Sequence, residues 1–511
     1  MRHLILKSMA AGSVLALALA LFADRRVRRN PAPDRIPQSD AFEEIDAYVE
    51  RQTERLNIPG AAIAIVEGDE IAHLRGFGQA RPGGEAPTPQ TPFIIGSLTK
   101  SFTALAVMQL VTDGKVELDA PVQRYLPWFR VADPQAAAQM TVRHLLNQTS
   151  GLPQLSGLRP LVDFDDSPDA SERQARALST LALPRPVGSA WEYSNMNYNL
   201  LGLIVEVASG ESYEAYVQEH IFAPLEMTHS YTCQAEAKQN GLAVGNRYWF
   251  GIPFAEPNLP MPRGSLAGGE LICSSEDMAR YLIAHLNEGR YDNVQILSPA
   301  GIDELHRPAV EAKAMGLSFG HYGMGWIIEE TDQTKIVWHS GTCPDFFAYM
   351  AILPEQEKGV VLLINANHLI MDKLTFTEVG AGVAKLLAGE RLIPNRFGAV
   401  PWALRGLPLI PALQIVGVAA TLRRLLHWHQ DPNTHPLGGR KWGHYILLPL
   451  IPDLLVSLPL LGLLWTGTLD VLLLFMPDVS WIALVCGSFA LAWMVLRAGL
   501  VLWTLRRRSV A

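Results

Sequence analysis

Cysteine is scarce in this chain. Cys233, Cys273, Cys343 and Cys486 are the only four in 511 residues, and none stands in a C-x-x-C or similar close pair, so neither a disulfide framework nor a thiolate metal site is implied. One bridge among Cys233, Cys273 and Cys343 stays open for an exported protein, because spacing does not say which sulfurs meet. Positive charge is also short, with 42 Lys and Arg against 50 Asp and Glu and a formal net charge of −8. No basic face is available for nucleic acid. No internal repeat is visible, and His427, His429, His435 and His444 lack ligand spacing, so neither a metal nor another cofactor is called for.

What is abundant is apolar sequence, and it collects at the two ends. Residues 8–23 follow Arg2 and Lys7 and contain small-x-small triplets such as Ala16-Leu17-Ala18, the grammar of a secretory signal. Arg25, Arg26, Arg28 and Arg29 come directly after it, where translocated chains carry few cations. Residues 1–30 therefore read equally as a cleaved signal or an N-terminal anchor. Toward the C-terminus, three apolar stretches at 404–422, 444–465 and 481–504 each approach the ~20 residues needed to cross a bilayer as a helix. Three transmembrane helices are expected within 404–511, with the lipid bilayer as a partner.

The loops between them set the topology. The first holds Arg423, Arg424, Arg440 and Lys441, the second (466–480) has Asp470 and Asp478 but no Lys or Arg, and the tail carries Arg506-Arg507-Arg508. Positive loops stay in the cytoplasm, so the domain before the first helix belongs on the extracytoplasmic, periplasmic side. Asp453 and Arg497 fall inside the second and third stretches at similar depth, and each is costly there alone. They are expected to face each other, the alternative being an Arg497 that snorkels and an uncharged Asp453 beside Pro452.

Residues 38–392 read as one domain. Asp40 can cap a helix over 41–55, with Phe42, Ile45, Tyr48 and Val49 at helical spacing. Strands follow at 61–66 and 71–74 around Glu67-Gly68-Asp69-Glu70. Further strands stand at 335–339, 346–353 and 360–364, the last two separated by a polar turn at 354–359. Strands from both ends with helices between predict an α+β fold: an antiparallel sheet whose N- and C-terminal strands meet, with a helical region inserted.

The chemistry starts at Gly96-Ser97-Leu98-Thr99-Lys100, which leads into an apolar helix ending near Asp113-Gly114. Positions three apart share a helix face, so the Lys100 amine can stand over the Ser97 hydroxyl. A lysine on the first turn of a buried helix loses hydration, which lowers its pKa and makes it a usable base. The helix N-terminus supplies N–H groups for an oxyanion. Further on, Tyr193-Ser194-Asn195 places a phenol and a carboxamide on one side of an extended segment. His339-Ser340-Gly341-Thr342 ends a strand with a glycine that lets a substrate backbone approach. Singly, Tyr193 reads as a buried phenol and His339 as a satisfied strand histidine; their joint occurrence with Ser97-x-x-Lys100 favours a site.

In that order, Ser-x-x-Lys, Tyr-x-Asn and His-x-Gly resemble the class C β-lactamase and penicillin-binding-protein-like serine hydrolase family. The likeness extends to Thr141–Pro153 and Gly268–Met278 and spans roughly 40–390. It implies a β-lactamase/transpeptidase-like fold with Ser97 as acylated nucleophile, Lys100 and Tyr193 as the pair that moves its proton, and Asn195 as a substrate-amide contact. It also implies substrate binding by His339, Gly341 and Thr342, with the backbone N–H groups of Ser97 and Thr342 as oxyanion hole. His144 reads as a loop-fixing residue. Where β-lactamases carry lysine, this chain has His339, a weaker and pH-dependent anion site, which argues against efficient cephalosporin hydrolysis. A catalytic domain followed by three membrane helices also resembles periplasmic peptidases that remove an acylated D-amino-acid cap. The expected function is an extracytoplasmic serine peptidase or esterase, taking a peptide or other small-molecule amide or ester. The alternatives are a penicillin-binding or sensor protein with little turnover and a weak β-lactamase.

Overall fold

The computed structural model describes residues 38–314, 317–331, 334–392, 398–430 and 448–506. The N-terminal signal or anchor, Arg440, Lys441, Arg507 and Arg508 lie outside the described residues. The chain divides into two compact units, one formed by Asn30–Arg247 with Pro253–Asn395, the other by Tyr248–Ile252 with Arg396–Ala511.

The first unit opens with helix α1 (Gln38–Leu56) and the hairpin of β1 (Gly60–Glu67) and β2 (Glu70–Gly78). After α2 (Thr99–Thr112), α3 (Asn195–Ser209) and α4 (Ser275–Leu286), the chain returns to strands. These are β3 (Val310–Ala314), β4 (Leu317–Tyr322), β5 (Ile327–Glu330), β6 (Lys335–Thr342), β7 (Phe347–Leu353) and β8 (Lys358–Ile364). The eight form one sheet in the order β2-β1-β8-β7-β6-β5-β4-β3. First and last strands meet as expected: Ala61 lies opposite Ile364 and Glu67 opposite Lys358.

Strands β1, β7 and β8 are apolar except at the end residues Glu67 and Lys358, because both faces are covered. Ala62, Ala64, Val66, Met350, Ile352, Val361 and Leu363 join the core that includes α2, α3 and α4. The residues of opposite parity, such as Ile63, Ile65, Tyr349, Ala351 and Leu362, are equally buried on the other face. Helices α5 (Leu369–Leu374) and α6 (Ala381–Leu387) close the unit. All four cysteines are free, Cys233 exposed and the rest buried.

The second unit holds α7 (Leu409–Gln430), α8 (Leu448–Thr466), α9 (Leu469–Phe475) and α10 (Pro477–Arg506). Leu409–Trp428 and Pro477–Trp503 are each long and apolar enough to cross a membrane; α8 and α9 pass only as a pair bent by 115°. Among the described residues there are thus two spans, or three if the bent pair is counted as one, against the three expected, and part of the expected 466–480 loop is helical. The first span begins at Leu409, not 404, because Pro408 disfavours helix at the residue before it. It also runs on to Gln430, taking Arg423 and Arg424 into its last turns. Gln414 Nε2 donates to the Cys486 carbonyl at 2.9 Å, tying α7 to α10, and Asp453 and Arg497 are close enough for their charges to interact.

Candidate active site

Ser97 does not lie in the α-helix. It occupies a single 3₁₀ turn, Gly96–Leu98, that runs into α2 at Thr99. The predicted face-sharing survives this correction, since residues three apart eclipse in a 3₁₀ turn. Lys100 Nζ stands 2.9 Å from Ser97 Oγ. The lysine is fully buried on a helix whose residues Thr99–Met108 are all buried. Ser97 is half-buried and so reachable.

Two acceptors hold the amine. Lys100 Nζ donates to Asn195 Oδ1 at 2.8 Å and to the Gly268 carbonyl at 2.5 Å. An ammonium fills all three contacts as donor. A neutral amine fills the two fixed acceptors and turns its lone pair to Ser97 Oγ–H. Burial lowers the Lys100 pKa to about 7, with Glu270 and Cys343 opposing the shift, so both forms are populated at neutral pH.

Tyr193 closes the other side. Burial and the neighbouring Tyr322 phenol hold its pKa well above the usual phenol value, with Ser97 opposing the shift. The Lys100 ammonium nitrogen lies 4.8 Å from the Tyr193 ring centroid. Ser194 between Tyr193 and Asn195 is extended (φ −141°, ψ 123°) and caps α3, which sends both neighbours to one side as the spacing predicts. Gln148, in the left-handed region at φ 59°, clamps this segment. Its Oε1 accepts the Ser194 N–H at 2.9 Å and Asn197 Nδ2 at 2.5 Å, and its backbone carbonyl accepts the Glu192 N–H at 2.9 Å.

The third wall is the end of β6. A Cβ on Gly341 would come within 1.9 Å of the Ile95 carbonyl oxygen and 3.1 Å of Ser97 N; a Cβ on Gly96 (φ +56°) would lie 2.7 Å from Thr342 N. Only glycine at both positions lets β6 lie against the Ser97 turn. Thr342 Oγ1 donates to Asp372 Oδ1 at 2.7 Å.

His339 departs from the expectation of a titrating cation. It is buried, its Nδ1 contacts the Ser340 carbonyl at 2.7 Å, and Tyr322 Oη lies 3.4 Å from Nε2. Burial and the Lys100 charge lower its pKa to about 3. The imidazole is neutral throughout the physiological range, so it is not an anion site that switches with pH. His144 takes the loop-fixing position: its Nδ1 accepts the Thr141 N–H and its own N–H donates to Thr141 Oγ1, both at 3.2 Å.

Five residues were not legible as site members in the sequence: Gln148, Gly268, Glu270, Tyr322 and Asp372. Gln148 and Gly268 act through a side-chain clamp and a backbone carbonyl, which no residue-type pattern announces. Glu270 is buried, its carboxyl pushed well above the usual range by burial and Asp345.

A family profile described as Beta-lactamase matches residues 45–381. Protein flp of Staphylococcus aureus (strain MW2) is 29% identical over 340 residues, 66% of this chain and 65% of its own length, so the chain spans just under two thirds of that relative. The octameric penicillin-binding protein homologue from Pyrococcus abyssi superposes with a TM-score of 0.59 and 28% identity, covering 68% of this chain and 78% of its own. D-amino acid amidase from Ochrobactrum anthropi SV3, complexed with D-phenylalanine, gives a TM-score of 0.57 and 25% identity over 68% of this chain and 97% of its own.

Proposed function

This chain belongs to the beta-lactamase family, and on that premise we propose that it is a serine hydrolase that cleaves an amide or ester through an acyl-enzyme. The observation that carries this reading is the buried Lys100 amine, 2.9 Å from Ser97 Oγ with its pKa lowered to about 7. Neutral Lys100 takes the Ser97 proton as Oγ attacks the substrate carbonyl. The backbone N–H groups of Ser97 and Thr342 receive the negative oxygen. Tyr193, held protonated, donates a proton toward the leaving amine or alkoxide and recovers one from the Lys100 ammonium. Deacylation repeats the cycle, with the neutral amine taking a proton from the attacking water.

We place the catalytic unit outside the cytoplasm, on the charge bias of the C-terminal loops and the two apolar spans. The substrate is read as a peptide or small molecule in a peptidase or esterase reaction, with weak β-lactam turnover because no cation replaces the lysine at position 339.

Profiling with a fluorophosphonate and with a fluorescent penicillin, using Ser97→Ala as control, tests the reading. Both probes should label the native protein and neither the variant. A long-lived penicillin adduct without turnover of any ester or amide would favour a penicillin-binding sensor instead.

A further inference from the structure

The charges around the third wall point to the kind of substrate this proposed hydrolase takes. Lys100 is committed to Ser97, Asn195 and Gly268, and His339 is buried and tied to the Ser340 carbonyl. Neither offers a cation to a ligand lying along β6. At the end of that strand stands a carboxylate: Thr342 Oγ1 donates to Asp372 Oδ1 at 2.7 Å, and Asp372 sits half-buried in the short helix α5. Thr342 is the residue whose backbone N–H is assigned to the oxyanion, so the carboxylate is one side chain away from the reacting carbonyl.

Nearby charges offset it only in part. Lys373, the next residue, is exposed, with its ammonium 6.0 Å from the Phe319 ring centroid. Arg185 on the far loop pairs with Glu192 at 3.6 Å. Burial raises the Asp372 pKa to about 6, with Thr342 and Lys373 opposing, so the carboxylate is ionised above about pH 6.

We propose that Asp372 is the specificity-determining residue of this site and that it selects substrates bearing a free ammonium group beside the scissile amide or ester, against those bearing a carboxylate there. A carboxylate on the ligand would be repelled by Asp372, which among the described residues is offset only by the exposed, solvent-screened Lys373, whereas an ammonium gains an ion pair. The inference rests on the serine hydrolase reading of the same site.

The test uses the full chain in detergent and three p-nitroanilides of one amino acid: the free amine, the N-acetyl and the N-succinyl derivative. Active sites are first counted by fluorophosphonate titration, with Ser97→Ala as blank. Labelling that survives Ser97→Ala overturns the hydrolase reading and this inference with it. Serine-dependent labelling with equal kcat/KM for amine and N-succinyl substrates overturns this inference alone. The expected result is a preference for the amine, lowered about tenfold through KM in Asp372→Asn, as for loss of one partly desolvated ion pair, and largely restored in Asp372→Glu. A ratio unchanged in Asp372→Asn, or lowered equally in both variants, refutes the assignment. In the native protein the same ratio should fall as pH drops through about 6; a ratio constant from pH 5 to 8 also refutes it.

Discussion

Lys100 Nζ and Ser97 Oγ lie 2.9 Å apart across the junction between a 3₁₀ turn and an α-helix. The junction separates two requirements that one helix would set against each other. The serine stays half-exposed on the turn, where a substrate can reach it. The amine stays on the buried helix, where lost hydration makes it a base.

Removing either proton-transfer partner should slow acylation. Lys100→Ala and Tyr193→Phe are each expected to lower the rate of fluorophosphonate labelling by at least ~10²-fold, the scale of lost general acid–base help. Stopped-flow labelling on folded protein checks this, and a native rate in either variant removes that residue from the proton path.

The pH dependence of acylation follows from the Lys100 pKa of about 7. As the proposed base, Lys100 must act as the neutral amine, so kcat/KM should rise tenfold per unit below about pH 7 and level off above it. A profile flat from pH 5 to 9 would mean that Lys100 does not act as the base.

Acid stability should depend on histidines buried without charge. His285 Nδ1 lies 3.1 Å from His306 Nε2, and burial lowers the pKa of both, that of His306 to about 3. Protons then bind the unfolded chain more readily, so the stability each histidine contributes is present above its unfolded pKa of ~6.5 and is lost as pH falls below it, by up to ~1.4 kcal/mol per unit. Asp345, whose pKa is raised to about 7, acts in the opposite sense, so the comparison must be between native protein and His306→Gln. The stability gap between them should shrink from pH 7 to pH 5; a constant gap contradicts it.

Cys233 reports the side of the membrane. It is exposed and free, while the other three cysteines are buried. In intact spheroplasts a membrane-impermeant maleimide should label the native chain and leave Cys233→Ser unlabelled. Labelling only after lysis would put the catalytic unit in the cytoplasm.

Losing the Gln148 clamp should disturb the site from a distance. In Gln148→Met the Ser194 N–H and Asn197 Nδ2 lose their shared acceptor, and unmade buried hydrogen bonds cost ~1–3 kcal/mol. Thermal unfolding should move down, and labelling should slow because Tyr193 and Asn195 flank Ser194. An unchanged labelling rate would restrict Gln148 to stability.

Much of this protein is written in local pattern. Strands at 61–66, 346–353 and 360–364 are visible because both faces are buried and the runs are apolar throughout. The Ser97–Lys100 pairing depends on a three-residue spacing that holds in either helix type. The Tyr193 and Asn195 geometry depends only on Ser194 being extended. Bilayer-length apolar runs and the sorting of arginines between loops are likewise properties of consecutive residues. What tertiary structure alone decided is the state of the charges. His339 is neutral because burial and Lys100, 239 positions earlier, act on it together (339 − 100). Lys100 is held by Asn195 and Gly268, and Thr342 is turned to Asp372, by contacts between segments far apart in the chain. Burial and electrostatic environment are sums over neighbours that only folding brings together, so residue type and spacing single out the candidate groups without setting their protonation.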